Sequence, residues 1–222
     1  FCISDYHTAV DYSHRSLDMY KKIYGEDGCD RGMGTVLHNL GASYGKLKKY
    51  EQGKKYLLQA LDMRRKLYGE KTNHGEIVKT LFGLACNMAC VSDYYKALEY
   101  YHRLLVMYRK IHGEDGCDED MGRCLNNLGY GYGKLEKHYL ALENYLKDVE
   151  MCKKIIYGQN SNHIEIADSL NSVAVTHMKS GNHDKAIEWF KQSLSMYRIV
   201  QPDHEQIPKI ISYLRRQGVD DI

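Results

Sequence analysis

Proline is almost missing from this chain. Only Pro202 and Pro208 occur in 222 residues, so residues 1–201 contain no obligate helix breaker. Charge of one sign is missing too. The net formal charge is +2, which removes bulk electrostatics as a reason to bind nucleic acid or a membrane surface. No apolar run approaches the roughly 20 residues of a bilayer span, and no basic-then-apolar leader marks secretion. Glycine-rich phosphate loops, nucleophile elbows and HExxH patterns are lacking, so neither an enzyme nor a cofactor is expected. Seven cysteines make an odd count without a disulfide-like spacing. In a chain long enough to build its own core they read as reduced thiols in a cytoplasmic protein. The first residue is Phe1, which predicts a fragment of a longer protein.

Hydrophobic residues at 43% and charged residues at 27% describe an ordinary globular chain, too apolar for disorder. Tyrosine is abundant, with 20 copies against three phenylalanines and one tryptophan, and suits half-buried positions. Self-similarity organises the rest. The stretch Gly25–Asp30 (GEDGCD) returns unchanged at Gly113–Asp118, and Gly69-Glu70-Lys71 lies midway. The unit is therefore about 44 residues long. Its loops alternate with a second flavour, Thr72–Ile77 (TNHGEI) and Ser161–Ile166 (SNHIEI).

Within each unit the spacing predicts two amphipathic helices. Leu37, Leu40, Gly41 and Tyr44 recur as Leu81, Leu84, Ala85 and Met88, as Leu125, Leu128, Gly129 and Tyr132, and as Leu170, Val173, Ala174 and His177. Twelve residues after each small residue stands another: Gly53, Ala97, Ala141 and Ala186. Ten further on comes Met63, Met107, Met151 or Met196, and Tyr6, Ala9 and Met19 continue these columns upstream. A methionine column reads as a packed helix face. Small residues let paired helices approach because nothing projects between the backbones.

These columns resemble the tetratricopeptide repeat, and the long unit resembles its kinesin light chain subtype. The resemblance implies an all-α fold, a right-handed α-solenoid of antiparallel helix pairs forming a single array with a C-terminal capping helix. The expected layout is a half repeat at 5–34, repeats at 35–78, 79–122, 123–167 and 168–206, and a cap at 207–222. Two departures, no proline ending the second helix and Gly75 in place of a proline after histidine, predict looser loops.

Other constellations read as structure. Cys86 and Cys90 share a helix face but lack the remaining ligands of a zinc site. The acidic run at 114–120 lacks the alternating ligands of a calcium loop. Histidines repeat by column (His74 with His163, His138 with His183), whereas a catalytic site is normally built once.

The resemblance further implies that first helices line a concave groove. Its candidate peptide-binding residues are His38, Lys46, Lys79, Phe82, Arg123, Asn126, Tyr130, Lys134, Asn171 and Lys179. The first helices carry Lys46, Lys48, Lys79, Arg123, Lys134, Lys137 and Lys179 against Glu136 and Asp168. This bias either forms a basic groove or complements helix dipoles. The subtype's known preference points to an acidic peptide with an aromatic anchor. A carboxylate clamp is not expected, since Ala42, Cys86, Tyr130 and Val175 occupy its asparagine column. The expected function is a scaffold or adaptor that binds a peptide segment of a partner protein. The alternatives are a regulatory or sensor arm of a larger signalling protein, and self-association through exposed array ends. On the groove reading, replacing Asn126 and Lys134 together weakens peptide binding with little loss of helicity.

Overall fold

The computed structural model describes residues 3–26, 28–70, 72–113, 116, 118–156 and 164–219. Among them are ten α-helices and no strand. The chain divides into two compact units, Phe1–Ile111 and His112–Ile222. The first holds α1 (Ile3–Tyr24), α2 (Arg31–Lys46), α3 (Tyr50–Tyr68), α4 (Gly75–Cys90) and α5 (Tyr94–His112). The second holds α6 (Glu119–Lys134), α7 (His138–Ile156), α8 (Ile164–Lys179), α9 (His183–Val200) and α10 (Gln206–Arg216). The fold is an all-α helix-pair solenoid in which α2, α4, α6 and α8 are first helices and α3, α5, α7 and α9 second helices. These first helices begin four residues ahead of the repeat starts expected at 35, 79, 123 and 168. Ser161–His163 of the second loop flavour lie outside the described residues.

The alternation of loops is an alternation of caps. Asp30 accepts hydrogen bonds from the backbone N–H of Gly32 (2.7 Å) and Met33 (3.1 Å) at the start of α2. Asp118 does the same for Asp120 (2.9 Å) and Met121 (3.3 Å) at the start of α6. Ahead of α4 the cap is His74, whose Nδ1 accepts from Glu76 N–H at 3.2 Å while its ring stacks on Tyr68. Either side chain satisfies helix-terminal donors that would otherwise be orphaned.

The turn inside each pair is also constant. Lys48, Ser92 and Glu136 adopt left-handed φ values of 59°, 62° and 59°, with Gly181 at 80° in the fourth pair. The next residue's N–H returns to the carbonyl of Tyr44, Met88, Tyr132 or His177 at 2.9–3.0 Å, closing the first helix as a Schellman turn does. Lys48 and Lys137 therefore belong to turns, not to first helices as the lysine tally had it, and so does Glu136.

The predicted columns form the core. Leu40, Leu81, Leu84, Leu128, Val173, Ala85 and Ala174 are essentially inaccessible, as are Ala97, Ala141 and Ala186. A Cβ on Gly41 would lie 2.5 Å from Leu57 Cγ and 2.9 Å from the Gly53 carbonyl, so α2 and α3 touch through their backbones. On Gly129 it would lie 2.7 Å from the Tyr145 ring. At the C-terminal end Phe190, Leu194, Tyr197, Ile210 and Leu214 make one cluster, with Val175, Met178 and Trp189 packed against it. In the methionine column Met107 is buried and Met63, Met151 and Met196 half-buried, but Met19 stands 64% exposed, contrary to a packed face there.

The backbone at Gly75 suits the residue that the kinesin light chain pattern places there. His74 has φ −59° and ψ 131°, the extended region that a following proline enforces. Gly75 is the first helical residue, where proline is favoured, and a Cβ there meets nothing within 4 Å. Gly75→Pro is expected to stabilise the protein by about 0.4–1 kcal/mol, chiefly by restricting the unfolded chain. Denaturant titration with an unchanged m-value checks this.

Candidate functional site

The expected peptide-binding residues fall in both units. In the first, Lys46 and Lys79 are exposed at the end of α2 and the start of α4, while His38 and Phe82 are half-buried between helices. Phe82 packs edge-to-face on Tyr101, with ring centroids 5.9 Å apart. His38 lies beside Gly83 and near the charges of Arg64, Glu76 and Lys79. Burial, reinforced by Arg64 and Lys79, lowers its pKa to about 4, so the ring is neutral at physiological pH. In the second unit Arg123, Tyr130, Lys134 and Lys179 are exposed and Asn126 and Asn171 half-buried. Arg123 is engaged on its own helix by Asp120 at 2.9 Å. The Lys134 ammonium lies 5.2 Å from the centre of the Tyr130 ring, a cation–π contact.

Asn126 has a different occupation from the one expected. Its amide nitrogen donates to Asp148 Oδ2 at 3.0 Å and faces Ser169 Oγ at 3.4 Å. Ser169 Oγ donates to the same carboxylate oxygen at 2.5 Å, and the Cys152 thiol reaches Oδ1 at 3.6 Å. Asp148 is only 3% exposed, so this network ties α6, α7 and α8 together around a buried carboxylate. Burial raises the Asp148 pKa, and the hydrogen bonds from Ser169, Asn126 and Cys152 oppose that rise. The first unit uses a cation in a neighbouring column. Arg64, 3% exposed on α3, donates to the Glu76 carbonyl oxygen at 2.8 Å and to Thr80 Oγ1, and pairs with the Glu76 carboxylate at 2.5 Å. Sequence reasoning missed Asp148 and Arg64 because each stands once in a column of uncharged residues and repeats nowhere. The signal available was the charge itself, an aspartate where the other units have Ala60, Leu104 and Ser193.

The structure brings together Tyr130 with Lys134 on α6, and places His38 close to the start of α4 across the α2–α4 contact. It also engages the half-buried Asn126 with Asp148 and Ser169. What remains exposed on the first helices includes cations, the Tyr130 ring and, near the helix starts of α6 and α8, the acids Glu119, Glu165 and Asp168. In each unit these project from elements whose other face is consumed by packing. Such a surface can hold a chain segment by charge and ring contacts without any covalent chemistry. No helix among the described residues is long and apolar enough to cross a membrane.

Comparison with known proteins agrees with this architecture. Tetratricopeptide repeat models match residues 34–75 and 120–199, together more than half of the chain. The chain belongs to the tetratricopeptide repeat family. No curated protein sequence matches it. Among solved structures, BtubC (BKLC) from P. vanneervenii superposes with a TM-score of 0.72 at 15% identity, covering 98% of this chain and 83% of that one. TPR-like repeats ascribed to a kinesin light chain of Podosopora anserina give 0.67 at 15% identity, covering 89% and 95%. YrrB, described as a TPR protein with an unusual peptide-binding site, gives 0.60 at 18% identity, covering 95% and 86%. At these identities the likeness is one of fold.

The Asp148 network predicts a pH-dependent cost. Asn126→Ala removes one donor from a buried carboxylate and is expected to lower stability at neutral pH by about 1–3 kcal/mol. Because the folded pKa of Asp148 is raised, the group's contribution is most favourable below the ordinary carboxylate range and is lost as pH rises through the folded value. The deficit of the variant therefore shrinks on acidification. Urea titrations of both proteins from neutral to acid pH measure it.

Proposed function

We propose that this chain is a scaffold or adaptor module that binds a peptide segment of a partner protein on the exposed faces of its first helices. One observation carries the reading. Each first helix buries its leucine and small-residue stripe yet leaves a cation exposed beside it: Lys46 on α2, Lys79 on α4, Lys134 on α6 and Lys179 on α8. Tyr130, 44% exposed beside Lys134, adds a flat apolar wall. An acidic segment with an aromatic anchor complements this combination, through charge at long range and ring packing at contact. YrrB, similar in fold, carries a peptide-binding site by its own description, which supports the same use of the architecture here. The cytoplasm is the compartment proposed, in keeping with the reading of the cysteines as reduced thiols.

Asn126 is unsuited to the test because its loss disturbs the Asp148 network. Lys134 and Lys179 are exposed residues at helix ends in one unit and separate binding from folding. A fluorescent acidic peptide with one central tryptophan is the probe. Binding is expected to weaken about tenfold, or about 1.4 kcal/mol, in Lys134→Glu/Lys179→Glu, with unchanged circular dichroism. Wild-type affinity should also fall as salt is raised. If the probe binds both proteins equally, the first-helix faces are not the site.

A further inference from the structure

Positive charge is gathered at one turn of this chain. Residues 46–55, which end α2, cross the turn and open α3, hold Lys46, Lys48, Lys49, Lys54 and Lys55 against Glu51 alone. Five lysines against one glutamate leave an excess of four, more than the net +2 of the whole chain. The equivalent stretches of the other pairs are balanced or slightly acidic. Residues 90–99 hold Lys96 against Asp93 and Glu99. Residues 134–143 hold Lys134 and Lys137 against Glu136 and Glu143, and residues 179–188 hold Lys179 and Lys185 against Asp184 and Glu188.

The backbone does not call for these lysines. Lys48 shares its left-handed φ with Ser92, Glu136 and Gly181, so four different residues serve the same turn. Lys46 answers the dipole at the end of α2, as Lys134 and Lys179 do on α6 and α8. Lys54 and Lys55 lie near the start of α3, where the dipole gives a cation no support. Lys54 stands in the column of Leu98, Leu142 and Ile187, and Lys55 in that of Asp11, Glu99, Glu143 and Glu188. One replaces an aliphatic residue and the other reverses a charge. Lys46, Lys48, Lys49 and Lys55 are exposed. Of the five, Lys54 alone has an ion pair among the described residues, with Glu51 at 3.9 Å. Asp93 of the following turn is taken by Lys96 at 3.1 Å.

We infer that the α2–α3 turn is a second docking site, for a carboxylate-rich segment of a partner protein. The residues of the turn choose among polyanions. Leu47 and Tyr50 are half-buried, so the stretch offers neither an exposed apolar wedge to a bilayer nor an open ring to a nucleic acid base. Its cations are all lysine, point charges on flexible stems without the guanidinium fork that grips a phosphate in fixed geometry. A flexible run of Glu and Asp complements such a set, held by summed charge rather than by shape.

This site goes beyond the first-helix peptide site and shares only Lys46 with it, which the test leaves in place. The probe is a fluorescent octaglutamate peptide without an aromatic residue, titrated into the whole chain at low ionic strength. Lys48→Ser/Lys49→Asn/Lys55→Glu installs residues that other pairs carry at these positions (Ser92, Asn182 and Glu99), so circular dichroism should be unchanged. Affinity is expected to fall at least about tenfold in this variant. Lys55→Glu alone, at an exposed helix position, should give an intermediate loss. Lys110→Glu/Lys191→Glu makes the same change in net charge at exposed positions elsewhere, and is expected to shift affinity less than about twofold. The proposal is overturned if octaglutamate does not bind, if it binds the wild type and the turn variant alike, or if the Lys110/Lys191 variant loses as much. It is overturned equally if phosphatidylserine vesicles or single-stranded DNA capture the chain through these lysines while octaglutamate does not. Failure here leaves the tryptophan-peptide test of the first-helix faces standing, because that test reads Lys134 and Lys179.

Discussion

The backbone contact between paired helices is the constraint on which this molecule depends. Gly41 meets the Gly53 carbonyl and Leu57 at distances no side chain could share. At that separation the leucines on either side reach across to the partner helix and leave water behind. Each fully buried leucine adds about 1.5–3 kcal/mol of transfer free energy. A wider pair would forfeit much of that and open voids besides. The residue that contributes least surface therefore sets how much its neighbours can bury.

Polar groups divide the work differently. Helix termini and pair turns are satisfied locally, by Asp30, His74 and Asp118 as caps and by the returning N–H groups after the left-handed residues. Those devices repeat with the unit because the backbone requirement repeats. Arg64 and Asp148 do not repeat. Each is a buried charge linking a second helix to the first helix that follows, Arg64 through Glu76 and Thr80, Asp148 through Ser169. Buried charges seldom add net stability over apolar residues of like size, but a mispaired partner would leave them unsatisfied. Their placement at single junctions suits a role in fixing which helices pack together, in a chain whose repeats are otherwise alike.

The surfaces left for recognition follow from the same packing. First helices bury one face in the pair, and α2 also meets α4, so the exposed remainder of these helices carries the lysines and Tyr130.

Fold class, unit length, helix pairing and core columns were all legible from residues alone, because an interval of about 44 residues brings the same requirement back to Leu37, Leu81, Leu125 and Leu170 and to the small residues beside them. Periodicity reports whatever the backbone demands of every unit. It is silent on contacts made once. That Asn126 turns inward to Asp148, that Lys48 and Lys137 lie in turns, and that Met19 stands in water while its column-mates are covered were decided by tertiary structure. In each case the answer depends on a neighbour distant in sequence, present in one unit and different or absent in the next, and no spacing rule within a helix encodes that neighbour.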